Sequence, residues 1–334
     1  MRKRIGIGMA ALALSVLMGC GKGDMGNAAE TPGTAPTAGV SGKKLRIGVS
    51  IPAADHGWTA GVNWWAKRAM DLHPEVEWTF AAAADPNKQI ADIETMIAKG
   101  VDGLVVLATE SAPLTPVAEQ AHGKGIFLVN VDRGFLKPVA DVFIEGDNEA
   151  FGRKSGEYMV QKLGGKGDIV VLEGIPSTVN TARVEAFKAA LKAAPGIRIL
   201  DSQSGMWNPQ KAQDVMQTLL VKHPKIDAVW ASDDDMLLGA ERSMKAANRT
   251  GIWMLGGAGM KDVIKRVMDG DPTVPADVTY PPSMIAQGIH TAVTALQGGK
   301  LAQVKEFLPR HMKIDVELVT AENAKDHYFP DSVY

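Results

Sequence analysis

The sequence predicts an α/β fold built from parallel β-sheets, and three observations support this. Short apolar segments of strand length alternate with amphipathic helical patterns along the chain after residue 43. Repeated β-then-α units form parallel sheets with right-handed crossovers. Several segments are apolar at every position, as expected for strands that helices cover on both faces. About 290 residues remain after residue 43, which is enough for two lobes of ordinary domain size.

Residues 1–19 have the pattern of an export signal. Three basic residues follow Met1, and residues 5–18 are apolar apart from glycine and serine. This run is shorter than the roughly 20 residues that a membrane-spanning helix needs, so we interpret the segment as a secretory signal peptide. Its removal takes away three positive charges and no acidic residue, which lowers the formal charge from −2 to −5.

Cys20 follows Leu17-Met18-Gly19, a sequence that resembles a bacterial lipobox, in which the thiol is lipidated and becomes the first mature residue. Cys20 is the only cysteine of the chain, so no internal disulfide is available. The alternative is a buried or reactive thiol, but the preceding signal peptide favours lipidation. Residues 20–43 are rich in Gly, Ala, Thr and Pro without apolar periodicity, which predicts a flexible tether.

The remaining sequence can be divided into strands and helices in chain order. Residues 87–99 place apolar side chains on one helical face and end before Gly100, a typical C-terminal residue. Residues 180–193 and 209–222 show the same helical pattern. The predicted strands are 45–51, 76–82, 103–108, 126–131, 142–145, 169–173, 197–202, 228–231, 252–256 and 278–280.

Polar and aromatic residues recur where the predicted strands end. In parallel sheets, ligands bind outside the carboxyl ends of the strands. Carboxylates and guanidinium groups at these positions suit paired hydroxyls, and indole faces suit the C–H patches of a sugar ring. The candidate residues are Asp55, His56 and Trp58 after the first strand, Thr109 and Glu110 after the third, Asp132 and Arg133 after the fourth, and Arg183, Trp207, Asp233 and Tyr280 beyond later strands.

Three segments carry a family resemblance. Asp132-Arg133, Asp147-Asn148 and residues 231–236 (Ala-Ser-Asp-Asp-Asp-Met) resemble the periplasmic sugar-binding proteins of the ribose-binding type, the solute receptors of ATP-driven importers. The resemblance extends from about residue 44 to residue 320. It implies the fold of periplasmic binding protein type I, in which two doubly wound parallel-sheet lobes are joined by a three-crossing hinge and close on a ligand.

The resemblance also implies lobe boundaries and residue roles. Residues 44–146 plus 281–310 are expected to form the N-terminal lobe, and residues 147–280 plus 311–334 the C-terminal lobe. His56 and Trp58 occupy the first contact loop of the family. The other positions that the resemblance matches are the Asp132–Arg133 pair, the second-lobe arginine at Arg183, an aromatic position at Trp207 and, at Asp233, a position usually held by Asn or Asp.

Two positions depart from the ribose-type pattern. Ala258 stands where a hydroxyl-binding Asp is expected, and Tyr280 stands where an amide such as Gln is common. The loss of a carboxylate and an amide removes charge-assisted or bidentate hydrogen bonds to a sugar. We therefore expect a sugar other than ribose, a linear polyol or a less hydroxylated solute.

These inferences predict an extracytoplasmic solute-binding lipoprotein. It is expected to be a periplasmic monomer, anchored to a membrane through Cys20, that passes a monosaccharide or polyol to the permease of an ABC importer. The alternative is a sensory receptor of the same fold that signals to a kinase or chemoreceptor. The chain has no basic patch interleaved with aromatics, so nucleic acid is not an expected partner.

An enzyme, a cofactor and a metal site are not expected. The chain lacks a Gly-x-Ser-x-Gly elbow, a His-Glu-x-x-His helix and a phosphate-binding Gly-rich loop followed by Lys. Asp132 and Asp233 resemble a glycosidase pair, but nearby arginines are expected to keep both ionised and so remove the general acid. The run from Asp233 to Asp235 suits the N-terminus of a helix better than a metal site.

Overall fold

The computed structural model describes residues 44–297 and 307–334. The signal peptide, the tether and the lipidated Cys20 predicted from the sequence lie outside the described residues. Residues Lys43–Tyr334 form one compact unit. Its strands are β1 (Arg46–Pro52), β2 (Glu77–Ala83), β3 (Gly103–Val106), β4 (Phe127–Val131), β5 (Val142–Gly146), β6 (Lys166–Glu173), β7 (Gly196–Ser204), β8 (Ala228–Ala231), β9 (Trp253–Leu255), β10 (Ala276–Val278), β11 (His311–Ile314) and β12 (Leu318–Thr320).

Helices follow most of these strands. Side-chain caps explain where several of them begin: Asp85, Asp147 and Ser177 each accept a hydrogen bond from a backbone N–H of the first turn. The helices are α1 (Gly57–Asp71), α2 (Pro86–Ala98), α3 (Ser111–Gly123), α4 (Asn148–Lys162), α5 (Thr178–Leu191), α6 (Pro209–Lys222), α7 (Asp234–Ala246), α8 (Lys261–Met268) and α9 (Met284–Gln297), with a 3-10 helix at Ala324–His327.

The strands form two parallel sheets and one small ribbon. The first sheet has six strands in the order β11-β5-β4-β3-β1-β2, and the second has four in the order β7-β6-β8-β9. Every pair within these two sheets is parallel. Strands β10 and β12 pair antiparallel. The predicted α/β fold with two parallel sheets is therefore confirmed.

Apolar burial explains the central strands. All residues of β3, β4 and β8 are buried, as expected for parallel strands covered on both faces. Helix α9 approaches the first sheet so closely that a Cβ on Gly288 would lie 2.6 Å from the Val131 side chain. Glycine at that position therefore allows the helix to pack against β4.

The chain moves between the two parallel sheets and the ribbon. It leaves the first sheet after β5 for the second, passes from β9 to the ribbon at β10, returns to the first sheet at β11 and re-enters the ribbon at β12. Strand β11 pairs with β5, so residues 311–314 belong to the first sheet. The sequence had predicted that the N-terminal lobe ends at residue 310, which is one strand too early. This short strand has no buried position, so no apolar run marked it in the sequence.

Candidate functional site

Residues at the carboxyl ends of strands from both sheets surround a small cavity. Eight of the eleven candidates from the sequence line it. Asp55, Thr109 and Glu110 line an adjacent open cleft instead, and Glu110 is the residue preceding helix α3. The complete lining is His56, Trp58, Asp132, Arg133, Val179, Arg183, Trp207, Asp233, Ala258 and Tyr280.

Asp132 and Arg133 form the side of the cavity that follows β4. The Nη1 of Arg133 donates to the carbonyls of Ala108 and Thr109 at 3.1 Å each, at the end of β3. Its Nε lies 3.7 Å from Asp132 Oδ2 and has no hydrogen-bond acceptor among the described residues. A buried donor without a partner costs about 1–3 kcal/mol, so this N–H is available for an acceptor on a ligand.

A hydrogen-bonded chain connects this side with the other. The Tyr280 hydroxyl donates to Asp132 Oδ1 at 2.6 Å, and Asn148 Nδ2 donates to the Tyr280 oxygen at 3.2 Å. Asn148 Oδ1 in turn accepts from Arg183 Nε at 2.9 Å, and Arg183 Nη1 donates to the Ser232 carbonyl at 2.8 Å. These bonds hold Arg183 and Asp132 in fixed orientations on opposite sides of the cavity.

Trp207 supplies a flat apolar face next to both arginines. The Cζ atoms of Arg133 and Arg183 lie 5.1 and 5.9 Å from its ring centre. Its indole N–H donates to Ser232 Oγ at 3.3 Å. A Cβ on Gly174 would lie only 2.0 Å from the indole, so a glycine is required for the ring to occupy this place.

Strained backbone concentrates at the cavity. Five non-glycine residues of the described part have φ in the left-handed region, and Asp132 (63°), Trp207 (50°) and Ala258 (111°) of the cavity are three of them. Each such residue costs on the order of 1–3 kcal/mol, and such strain occurs preferentially at functional sites. Ala258, which stands where the ribose-type pattern has a hydroxyl-binding Asp, lines the cavity.

Three consecutive aspartates begin helix α7 on the second side. Asp233 Oδ1 accepts from the Met236 N–H at 2.8 Å, the capping role expected from the sequence. Asp234 accepts from the N–H groups of Gly257 and Met260 at 2.9 and 2.8 Å. Backbone amides, rather than cations, are therefore the principal partners of these carboxylates.

Burial, together with the neighbouring Asp235, raises the pKa of Asp233 to about 7. Arg183 acts in the opposite direction but is the weakest of the contributing causes. The sequence-based argument that arginines keep this carboxylate ionised was therefore wrong, because desolvation outweighs their attraction. Asp233 titrates near neutral pH in this environment.

One histidine and two carboxylates approach each other here. His56, Asp233 and Asp235 place potential ligand atoms within 4.8 Å of one another, and these donor types are ones that divalent cations accept. Asp233 and Asp235 already accept backbone N–H bonds. A bound cation is not needed to explain their positions.

No helix among residues 44–297 and 307–334 combines the length and apolar character needed to span a bilayer.

The fold and the cavity can be compared with known proteins. Residues 47–300 match the family described as periplasmic binding protein domain. The chain belongs to this family. The D-ribose/D-allose-binding protein of Pseudomonas aeruginosa is 33% identical over 245 residues, covering 71% of this chain and 75% of that protein. The xylitol-binding protein of Mycolicibacterium smegmatis is 31% identical over 270 residues, covering 79% and 73%.

A solved structure agrees with these relatives. The fructose-binding periplasmic domain of a hybrid two-component system has a TM-score of 0.76 at 30% identity, covering 84% of this chain and 92% of that domain. These members of the periplasmic binding protein family are described as binding proteins, in agreement with the expectation that this chain is not an enzyme.

Proposed function

We propose that this protein captures a monosaccharide or polyol between its two parallel-sheet lobes and delivers it to the permease of an ABC importer. The observation that carries the proposal is the cavity in which Asp132, Arg133 and Arg183 surround the face of Trp207. A hydroxyl group can donate a hydrogen bond to a carboxylate and accept one from a guanidinium group at the same time. The indole face suits the C–H surface of the same small molecule.

The relatives support a solute of this class. One relative is described as binding ribose and allose and another as binding xylitol, so both a ring sugar and a linear polyol fit the proposal.

The two departures from the ribose-type pattern narrow the ligand. The Tyr280 hydroxyl occupies Asp132 Oδ1, which leaves fewer acceptors for sugar hydroxyls on that carboxylate. Ala258 presents a methyl group to the cavity where a carboxylate is expected. We infer that the ligand forms fewer hydrogen bonds than ribose would at the ribose-type site.

The screening experiment uses the unit from Lys43 onward, which contains both sheets. Thermal-shift measurements are made against pentoses, hexoses, polyols, amino acids and nucleosides, and calorimetry confirms each hit. A stabilising sugar or polyol is expected. If these two classes fail while another class binds, the proposed ligand class is wrong.

We also propose that the protein is a periplasmic lipoprotein. The support is the lipobox-like Leu17–Cys20 segment after a signal-peptide pattern. A Cys20→Ser variant is expected to leave the membrane fraction or to accumulate unprocessed, as shown by fractionation and mass. Unchanged fractionation with the membrane contradicts the lipid anchor.

A sensory receptor of the same fold is the second candidate. The observation in its favour is the similarity to the fructose-binding domain of a hybrid two-component system. Deletion of the gene separates the candidates once a ligand is known: a transport receptor is required for uptake of labelled ligand, and a sensor is required for the transcriptional response with uptake intact.

A further inference from the structure

Asp235 links the two sheets without lining the cavity. It lies in the first turn of α7, after β8 of the second sheet. Its Oδ1 accepts from the Gly57 N–H at 3.0 Å and its Oδ2 accepts from the Trp58 N–H at 3.4 Å. Gly57 and Trp58 begin helix α1, which follows β1 of the first sheet. A carboxylate of one sheet therefore binds the helix N-terminus of the other.

The contact supplies an acceptor for backbone N–H groups at the start of α1. The first turn of α1 contains no acidic residue, and the preceding Asp55 accepts from the Thr59 hydroxyl, although the free N–H groups and dipole of a helix N-terminus favour an anion. Hydrogen bonds from backbone N–H to an ionised carboxylate are stronger than neutral ones. Asp235 thus stabilises the start of α1 only when the two sheets are close together.

The same contact places ligand-facing side chains. Trp58 and His56 line the cavity, and Asp235 accepts from the backbone N–H groups of the two residues that follow His56. The Trp58 indole N–H also donates to the Tyr280 carbonyl at 2.9 Å. The position of the first contact loop is therefore fixed by residues outside its own strand and helix.

We propose that Asp235 is a positioning residue that holds the two halves of the cavity together in the absence of ligand. The expected effect on ligand affinity rests on the proposed function, whereas the expected effect on the free protein does not. The apparent affinity is proportional to the fraction of free molecules that already have the binding-competent, closed arrangement. A protein that is partly closed before binding therefore binds its ligand more tightly than one that is mostly open. Loss of the Asp235 contact lowers that fraction.

The first experiment measures the free protein. Cys20, the only cysteine, is absent from the unit beginning at Lys43, so cysteines introduced at exposed Leu136 and Ala189 can be spin-labelled specifically. These two positions line the same groove, Leu136 in the β4–β5 loop and Ala189 on α5. We expect pulsed electron spin resonance to show a shorter and a longer distance in the parent protein, and Asp235→Asn to shift the population toward the longer one.

The matched control is Asp262→Asn, which removes an exposed carboxylate from the first turn of α8. It is expected to leave the distance distribution unchanged. With the ligand found by screening, Asp235→Asn is expected to bind about tenfold more weakly, which corresponds to about 1.4 kcal/mol, while saturating ligand restores the short distance. An unchanged distribution in the free Asp235→Asn protein overturns the proposal even if no ligand has been identified.

A second variant tests the contact from the other side. A Cβ on Gly57 would lie 2.9 Å from Tyr334 Cε2 and 3.1 Å from Asp235 Oδ2, so Gly57→Ala crowds the junction while keeping the carboxylate. It is expected to lengthen the distance in the free protein, by less than Asp235→Asn does. If either variant lowers the melting temperature but leaves the distance distribution unchanged, Asp235 has only a structural role and the proposal is wrong.

Discussion

The two sides of the cavity carry negative charge in different ways. On the first-sheet side, Asp132 lies beside Arg133 and accepts from the Tyr280 hydroxyl, so a cation and a hydroxyl compensate it. On the second-sheet side, the carboxylates of Asp233 and Asp234 are buried next to each other. Backbone N–H groups are their main hydrogen-bond partners.

This difference separates two properties of the site. A carboxylate held by an arginine and a tyrosine has a fixed orientation, which suits recognition of particular hydroxyls. A carboxylate whose pKa burial has raised to about 7 changes its charge near neutral pH, as Asp233 does. We expect the first side to determine most of the affinity and the second side to determine its dependence on pH.

The largest loss of ligand affinity is expected from substitutions on the first-sheet side of the cavity. Arg133→Ala and Asp132→Ala should each weaken ligand binding by at least about 100-fold, because each removes a charge-assisted partner in a buried site. Calorimetry with the ligand found by screening measures this directly. Arg133 also donates to the carbonyls of Ala108 and Thr109, so the free Arg133→Ala protein is expected to melt at a lower temperature.

The control for this pair is Arg198→Ala. The Arg198 side chain is 70% exposed, bonds Asp168 on the second sheet and lies outside the cavity lining. The Arg198→Ala variant should bind the ligand with the affinity of the parent protein. Binding within twofold of the parent protein in both cavity variants would remove Asp132 and Arg133 from the site.

A smaller effect is expected from moving the aromatic face that lies next to both arginines. Gly174→Ala places a methyl group 2.0 Å from the Trp207 ring, so the indole must shift. We expect about tenfold weaker binding and a changed tryptophan emission spectrum. Gly123→Ala, at the end of α3 with no atom within 4 Å of the new methyl, is the matched control. Equal affinity in both variants contradicts a contact between Trp207 and the ligand.

Much of this arrangement could be predicted from the sequence because parallel sheets place their strand ends together. Buried apolar runs such as β4 and β8 mark the strands, and the residues after them, including Asp132 and Asp233, converge on the cavity. The rule identifies the edge of a sheet but not the direction of each side chain. Asp55 follows β1 yet faces the adjacent cleft, where its carboxylate bonds His56 at 2.7 Å.

Other features lacked a sequence signal. Val179 lies in the first turn of α5, and nothing in a helical pattern shows which residue of that turn faces a ligand. The contact between Asp235 and Gly57 joins residues 178 positions apart, and only the packing of the two sheets brings them together. Strands β11 and β12 are short and only partly buried, so no apolar run predicted them.

The second side can be tested by its pH dependence. The pKa of Asp233 rises from its ordinary value of 3.8 to about 7 in the folded protein, so between these values the folded state binds more protons than the unfolded chain. The free energy of unfolding contributed by this group therefore falls as pH rises across that interval and is constant above it. The Asp233→Asn variant lacks this ionisable group, so it does not undergo this decrease in the free energy of unfolding.

Denaturant unfolding of both proteins from pH 4 to pH 8 measures the effect. The stability of Asp233→Asn relative to the parent is expected to increase with pH up to about pH 7 and then to level off. Asp277, whose pKa burial also raises, titrates in both proteins and largely cancels in the difference. The charge of Asp233 helps to raise the pKa of Asp234, so its removal in Asp233→Asn lowers that pKa and adds to the same trend. A difference that is independent of pH contradicts the raised pKa of Asp233.

The smallest effect is expected from relieving strain at Ala258, which faces the cavity with a φ of 111°. Glycine adopts this conformation without a steric penalty, so Ala258→Gly should raise the free energy of unfolding by about 1 kcal/mol. The ligand contacts only a methyl group here, so its affinity should change by less than about threefold. Asn248→Gly, which relieves a φ of 50° outside the cavity lining, should give a similar gain in denaturant unfolding with unchanged binding. If Ala258→Gly lowers the free energy of unfolding instead, packing of the methyl group stabilises the protein by more than the backbone strain destabilises it. The inferred cost of backbone strain at the cavity is then wrong.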